Sequence, residues 1–428
     1  MNKTAKRIMG AMLALTLICG GAYGISTQIK PQEVGAATTS TVKWNGKTPK
    51  YIFMFIGDGM SYPQIQAAQY YNGIEKNGAI NVSEGNYPTQ EKLSFMNFPV
   101  SGTVSTYDST SICPDSASTA TSLSTGEKTL SSVINMDETK TKSYETITEK
   151  LKNQLGYKVG IVTSVNIDHA TPGAYYAHVP ARSQYYDMGL QLVDSDFDYF
   201  AGGKFLSDTS KEVTEQGKTP IAKLAEEKGY KIADTNEEIK SLNSGDEKVI
   251  AICPENEVEE ESGALKYDLD RNENELTLAE YTRKGIELLD NEKGFFMMVE
   301  GGKIDWAGHA NDAASSIHDT NAFSDAVQEA VNFYNAHPDE TLILVTGDHE
   351  TGGLSLGFAG TNYDTHLQNL SNQKVSYTEF DKSVAKYREN KTSFDDAMKD
   401  VEAQFGLKRA GSEGDSTKGG MVLTELEE

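Results

Sequence analysis

Cysteine is scarce in this sequence: Cys19, Cys113 and Cys253 are the only three in 428 residues. Cys19 falls in the leader described below, and the two others are too few for a disulfide framework, so a fold of this size must rest on a hydrophobic core. Positive charge is also short. Lys and Arg total 39 against 63 Asp and Glu, a net charge of -24 that would repel a nucleic-acid backbone and argues against binding one by charge. Long apolar runs are missing as well. The run from Ile8 to Ile18 is too short to span a bilayer, and no later segment carries enough uninterrupted apolar residues to cross one.

That early run follows the basic stretch Lys3 to Arg7 and precedes Gly20, Gly21 and Ala22, which is the layout of a secretory signal. Residues 1–36 are expected to be signal and mature N-terminal tether, cleaved after residue 24, 36 or 37, with a secreted or periplasmic product and no membrane span once the signal is removed. Folding is expected from about residue 45 to residue 428.

Short apolar runs stand out at Tyr51 to Ile56, Val159 to Val162, Phe295 to Val299 and Thr341 to Val345. Rich in Val, Ile and Phe and bounded by glycine or polar residues, they read as strands of a sheet buried on both faces. Amphipathic stretches lie between them; Phe323, Ala326, Val327, Ala330, Val331 and Tyr334 recur at helical spacing. The alternation predicts an α/β fold, a three-layer α/β/α sandwich with a large, mostly parallel central sheet. Residues 205–275 show few strand signals and read as a surface insertion, with Asp268 to Asn274 as a solvated charged loop that lacks the glycine and terminal glutamate of a calcium loop. His178 and His318 fall in helical patterns, and His337 follows one; all three read as structural.

Each strand candidate runs into polar residues of ligand type. Asp58 follows the first, Thr163, His169 and Thr171 the second, Glu300 the third, and Asp348 with His349 the fourth. Ligands bind at the carboxyl edge of such sheets, so these groups are expected to meet. Asp305 and His309, four apart, would share one face of a helix. Any one of them alone reads as a surface carboxylate or a cap. Together, Asp58, Glu300, Asp305, His309, Asp348 and His349 form a donor set for cations: mixed Asp and His ligation suits zinc, and an all-oxygen site from Asp58, Glu300 and Thr171 suits magnesium. Ser116 precedes small residues that can open a helix. Such a serine is either an N-cap or a nucleophile whose anionic target is drawn to the helix amides.

The stretches Ile56-Gly57-Asp58-Gly59-Met60, Asp115-Ser116-Ala117, Val299-Glu300-Gly301-Gly302-Lys303-Ile304-Asp305, His309 and Thr346-Gly347-Asp348-His349 resemble, in order and spacing, the alkaline phosphatase family. The resemblance implies hydrolysis of phosphate monoesters of broad range through a phosphoserine at Ser116, with two zinc ions and one magnesium ion. It implies that Asp58 bridges the magnesium and the second zinc. Asp348 and His349 would complete that zinc, Glu300 and Thr171 the magnesium, and Asp305 and His309 would hold the first zinc. Arg182 matches a phosphate-clamping arginine that Asp115 would steady, while His169 and Trp306 match positions beside the magnesium and the bound phosphate. A homodimer is left open.

The family's first zinc takes a further histidine well beyond the Asp-His motif. Only His366 follows His349, in an unsuitable context, so the expectation is that a segment carrying the missing ligand and a last strand lies beyond Glu428. Two other readings stay open: a phosphodiesterase of the same superfamily, and a secreted phosphate-binding protein with impaired turnover. A sulfatase is not supported, because Cys113-Pro114-Asp115-Ser116-Ala117 lacks the required Cys-x-Pro-x-Arg.

Overall fold

The structure is a computed structural model that describes residues 48–81, 83, 85–357, 365–414 and 420–428. The expected signal and tether lie outside the described residues. Among the described residues seven strands form the central sheet: β1 (Tyr51–Gly57), β2 (Lys158–Asn166), β3 (Tyr199–Gly203), β4 (Lys231–Ala233), β5 (Val249–Ile252), β6 (Phe295–Glu300) and β7 (Thr341–Gly347). They lie in the order β4-β5-β3-β2-β6-β1-β7, and every pairing is parallel.

Side chains alternate between the two faces, and the core divides accordingly. Phe53 and Phe55 of β1 and Phe295, Met297 and Val299 of β6 belong to one cluster. Met54, Ile56, Phe296 and Met298 belong to the other. Helices cover both faces. The helix Tyr62–Asn77 (α1), Leu278–Leu289 and Ala313–Ala336 pack on the first through Ala67, Tyr281 and Phe323. On the second lie Ser116–Thr125 (α2) and Tyr185–Asp194, through Ala117, Ala120, Met188 and Leu192. Burying side chains such as Phe53 and Phe55 to zero exposure contributes about 2 kcal/mol each, so the alternating pattern fixes the register of the middle strands.

The sheet departs from the sequence reading at one end, beginning with β3, which is not among the four strand candidates. Residues 205–275, expected as a surface insertion, supply β4 and β5 and so extend the sheet. These strands are only 3 and 4 residues long, too short for periodicity to reveal. The charged stretch at Asp268 is likewise not a free loop: Asp268 donates its amide to Asp319 at 3.2 Å, and Asp270 accepts the amide of Ser376 at 2.8 Å. His178 sits outside any helix, between Ala170–Gly173 and Tyr185–Asp194. Its Nε2 lies 3.0 Å from Glu149. Cys113 is exposed, Cys253 is buried, and the two are unpaired. No described helix is long and apolar enough to cross a membrane.

Candidate active site

Strand register assembles the site. Ile56 is level with both Glu300 and Thr346, Gly57 with Gly347, and Thr163 with Glu300. Asp58 and Asp348 therefore each stand one residue past a matched pair, and Glu300 ends the strand beside them. All three carboxylates are buried. The turn after β1 depends on Gly59, whose φ of +71° suits glycine, and a Cβ there would lie 2.7 Å from the Asp305 Cα. Its amide donates to Asp348 Oδ1 at 3.1 Å.

Asp305 and His309 come from the short helix Lys303–His309, as their spacing predicts, with His309 Nε2 3.5 Å from Asp305 Oδ2. One ligand atom from each of Asp58, Asp305 and His349 falls within 4.8 Å of the other two. His366 is placed elsewhere, at the start of the 3₁₀ turn Leu367–Asn372, and is not part of this cluster.

The hydrogen bonds around His349 assign its tautomer. Thr351 Oγ1 donates to Asp305 Oδ1 at 2.5 Å and lies 3.1 Å from His349 Nδ1. A carboxylate accepts only, so the single hydroxyl proton goes to Asp305 and Nδ1–H donates to Thr351. The Nε2 lone pair then faces Asp58 Oδ1 at 3.4 Å and Asp348 Oδ2 at 3.5 Å, and it is buried without a hydrogen-bond partner among the described residues. One Glu300 oxygen is also buried and has no hydrogen-bond partner among the described residues, while the other accepts from Thr163. A bare lone pair directed at two carboxylates leaves a position that a cation fits.

Electrostatics point the same way. Burial first, then the charges of Asp348, Asp305 and Glu300, hold the Asp58 carboxyl well above its usual range. Burial also pushes Glu300 up to about 7, against the lowering effect of Thr163. Carboxylates this close do not all ionise without compensating positive charge; bound cations would reverse the shift.

Ser116 is the first residue of α2, with Asp115 as the cap. Its hydroxyl donates to Asp58 Oδ1 at 3.4 Å. Thr171 donates to Asp58 Oδ2, also at 3.4 Å. Asp115 accepts the amides of Ser118 at 3.2 Å and Ser132 at 3.0 Å, and its other oxygen accepts from Arg182 Nη1 at 3.0 Å. Burial alone would raise the Asp115 pKa, but the Ser132 amide, the Ser118 hydroxyl and the Arg182 charge hold it below its usual range. Arg182 Nη2 lies 3.4 Å from His169 Nε2. Burial, then the charge of Arg182, drives His169 down to about 3, so this ring is neutral. Trp306 meets it edge-on, with ring centroids 5.9 Å apart.

The fold thus brings Asp58, Ser116, Thr171, Glu300, Asp305, His309, Asp348 and His349 to one edge, with Asp115, Arg182, His169 and Trp306 beside them. Sequence reasoning missed Thr351, in the run His349-Glu350-Thr351-Gly352-Gly353 just past the fourth strand. It also missed Thr119, which donates to Asp348 Oδ2 at 2.9 Å; its position one turn after Ser116 was the available signal. Asp168, which accepts the Leu206 and Ser207 amides at 2.8 Å each and so anchors the loop before His169, carried no sequence signal.

The alkaline phosphatase sequence pattern matches residues 49–416. The chain is 30% identical over 370 residues to alkaline phosphatase 4 of Bacillus subtilis (strain 168), covering 85% of this chain and 72% of the relative. It is 31% identical over 356 residues to alkaline phosphatase 4 of Drosophila melanogaster, covering 73% of this chain but only 58% of that protein. Among solved structures, a variant of the TAB5 alkaline phosphatase with magnesium bound aligns with a TM-score of 0.60 at 27% identity, over 72% of this chain and 80% of the other.

Proposed function

The chain belongs to the alkaline phosphatase family, and from that premise we propose that it hydrolyses phosphate monoesters in two steps through a phosphoserine at Ser116. The observation that carries this reading is the His349 Nε2 lone pair set against Asp58 and Asp348, with the Ser116 hydroxyl on the same Asp58 oxygen.

Asp58, Asp348 and His349, with Ser116, would hold one zinc; Asp305 and His309 would hold the other; Asp58, Glu300 and Thr171 would hold magnesium. When bound, these ions supply Lewis-acid activation of the serine and of water, and charge stabilisation at the phosphoryl group. The magnesium in the TAB5 variant supports metal dependence here.

The chain's own groups set the geometry. Ser116 Oγ, buried at the opening of α2, attacks phosphorus as the bond to the alcohol oxygen breaks, and water later cleaves the Ser116 ester. The helix N-terminus favours the anion being transferred. Arg182, anchored through Nη1 by Asp115, presents its guanidinium to two non-bridging oxygens. His169 stays neutral beside it and adds no charge. Because these groups grip the phosphoryl group and not the alcohol, the expected substrate range is broad. The reading includes export directed by the N-terminal residues.

The test is hydrolysis of an aryl phosphate at alkaline pH, before and after chelation and after zinc and magnesium are restored. Chelation should abolish activity and the ions restore it, and Ser116→Ala should lower kcat by about a thousandfold or more. A rate that survives either treatment overturns the mechanism. A higher rate on diesters than on monoesters would favour the phosphodiesterase reading.

A further inference from the structure

Lys303 opens the helix that carries Asp305, Trp306 and His309, and its side chain is wholly buried. Its Nζ lies 3.1 Å from Glu259 Oε1. The same ammonium sits 3.7 Å from the Tyr267 ring centroid and 4.7 Å from that of Trp306. Glu259 is itself rooted: its amide donates to the Ala264 carbonyl at 2.8 Å, its carbonyl accepts the Gly263 amide at 2.8 Å, and its second oxygen accepts from Ser262. Tyr267 donates to Tyr377 Oη at 3.3 Å. The turn that holds Glu259 also walls a cavity of about 750 Å³, and His169 and Trp306 line the same cavity.

A buried ion pair is a poor way to gain stability, since apolar side chains of similar volume do as well or better. The charge also faces the buried Asp319 and the half-buried Asp270, and what it adds toward the site is contact with two aromatic faces. One of them, Trp306, lies one helical turn along from Lys303 and meets His169 edge-on, and His169 in turn lies against Arg182. We propose that Lys303 is a positioning residue for phosphate: held by Glu259, its ammonium fixes the Trp306 indole, which keeps His169 packed against the Arg182 guanidinium. The proposal rests on the phosphomonoesterase reading above. Substrate and product would feel the loss alike, because both present the phosphoryl group to Arg182.

The sequence contains two tryptophans, Trp44 and Trp306, so Trp44→Phe leaves Trp306 as the sole indole reporter. In that background Lys303→Met keeps the stem and removes the charge. Because Glu259 is then left buried without its cation, the variant should still melt cooperatively but at a lower temperature than its parent. Its Trp306 emission should shift, and KM and the inhibition constant for inorganic phosphate should rise together by about fivefold, with kcat little changed. Lys303→Arg should recover most of both effects. Glu259→Gln, which keeps the cation but removes its partner, should move emission and phosphate inhibition the same way and decides the matter if Lys303→Met does not fold. Unchanged emission and phosphate inhibition in a folded Lys303→Met or Glu259→Gln variant would overturn the proposal. Absence of turnover in the parent would instead count against the phosphatase reading, while emission and phosphate binding, read by Trp306 quenching, still report on Lys303.

Discussion

Asp115 performs two separable tasks, and two substitutions should divide them. Through Oδ1 it caps α2 at the Ser118 amide and also takes the Ser132 amide; through Oδ2 it anchors Arg182. Asp115→Asn keeps an oxygen for both amides and loses only the ion pair. Asp115→Ala loses everything. For the alanine variant, a lost cap costs about 1 kcal/mol, an amide left without its acceptor about 1 kcal/mol, and an ion pair about a quarter exposed on each side about 1 kcal/mol after solvent screening. The total is about 3 kcal/mol. At about 2.1 cal/mol/K per residue, the unit Thr48–Glu428 has an unfolding entropy of about 0.8 kcal/mol/K, so Tm should fall by about 4 °C. Asp115→Asn should melt within about 1 °C of wild type.

Activity should divide the other way. With Arg182 no longer anchored, the asparagine variant should raise both KM and the inhibition constant for phosphate by about tenfold, equivalent to about 1.4 kcal/mol. Its kcat should not fall, because the lost interaction is common to bound substrate, transition state and product. Scanning calorimetry and steady-state hydrolysis with phosphate as inhibitor give both readings from one preparation. If the asparagine variant is as destabilised as the alanine variant, or if its phosphate inhibition is unchanged, the assignment of one oxygen to the helix and the other to Arg182 is wrong.

Thr351→Val should preserve volume but remove the hydroxyl that holds both Asp305 and the His349 tautomer; zinc affinity, measured by competition with a chromogenic chelator, should fall about 10- to 100-fold, and equal affinity would refute the tautomer argument. The His178–Glu149 pair, at 3.0 Å, predicts a pH signature in stability. Burial lowers the His178 pKa, but the Glu149 hydrogen bond and charge and the Asn135 carbonyl outweigh it, for a net rise above the ordinary 6.5. That contribution is complete below pH 6.5 and is lost as pH rises through the elevated value. For Glu149 burial raises the pKa, yet its hydrogen bonds, with His178 foremost, bring it below the ordinary 4.5; its contribution is present above pH 4.5 and is lost as pH falls through the lowered value. His178→Gln should therefore be most destabilised relative to wild type between about pH 4.5 and 6.5, with the gap narrowing at higher pH; parallel Tm–pH curves would contradict the pairing.

What could be read from sequence was local and strong. The middle strands β1, β2 and β6 are buried on both faces, so they appear as short apolar runs; β7 carries the same kind of run but lies at the edge of the sheet with Leu342 and Leu344 exposed, contrary to the expectation of burial on both faces. The acids at Asp58, Glu300 and Asp348 were legible because each closes such a run, and Asp305 with His309 because four residues make one helical turn. The strands β3, β4 and β5 were not, because segments of 5, 3 and 4 residues carry too few alternations to separate from loop.

The tertiary structure decided how those groups act on one another. Register sets Asp58 level with Asp348, and only the fold brings Thr351 to Asp305 across 46 residues and Thr119 to Asp348 across 229. Lys303 lies inside a recognised motif, yet its ion pair to Glu259 and its place between the rings of Tyr267 and Trp306 depend on a turn about forty residues earlier in the chain. The physical reason is the same in each case. Chemical type and strand endings are properties of neighbouring residues, whereas a tautomer, an orphaned lone pair or a buried ammonium is defined by groups that meet only when the chain closes on itself.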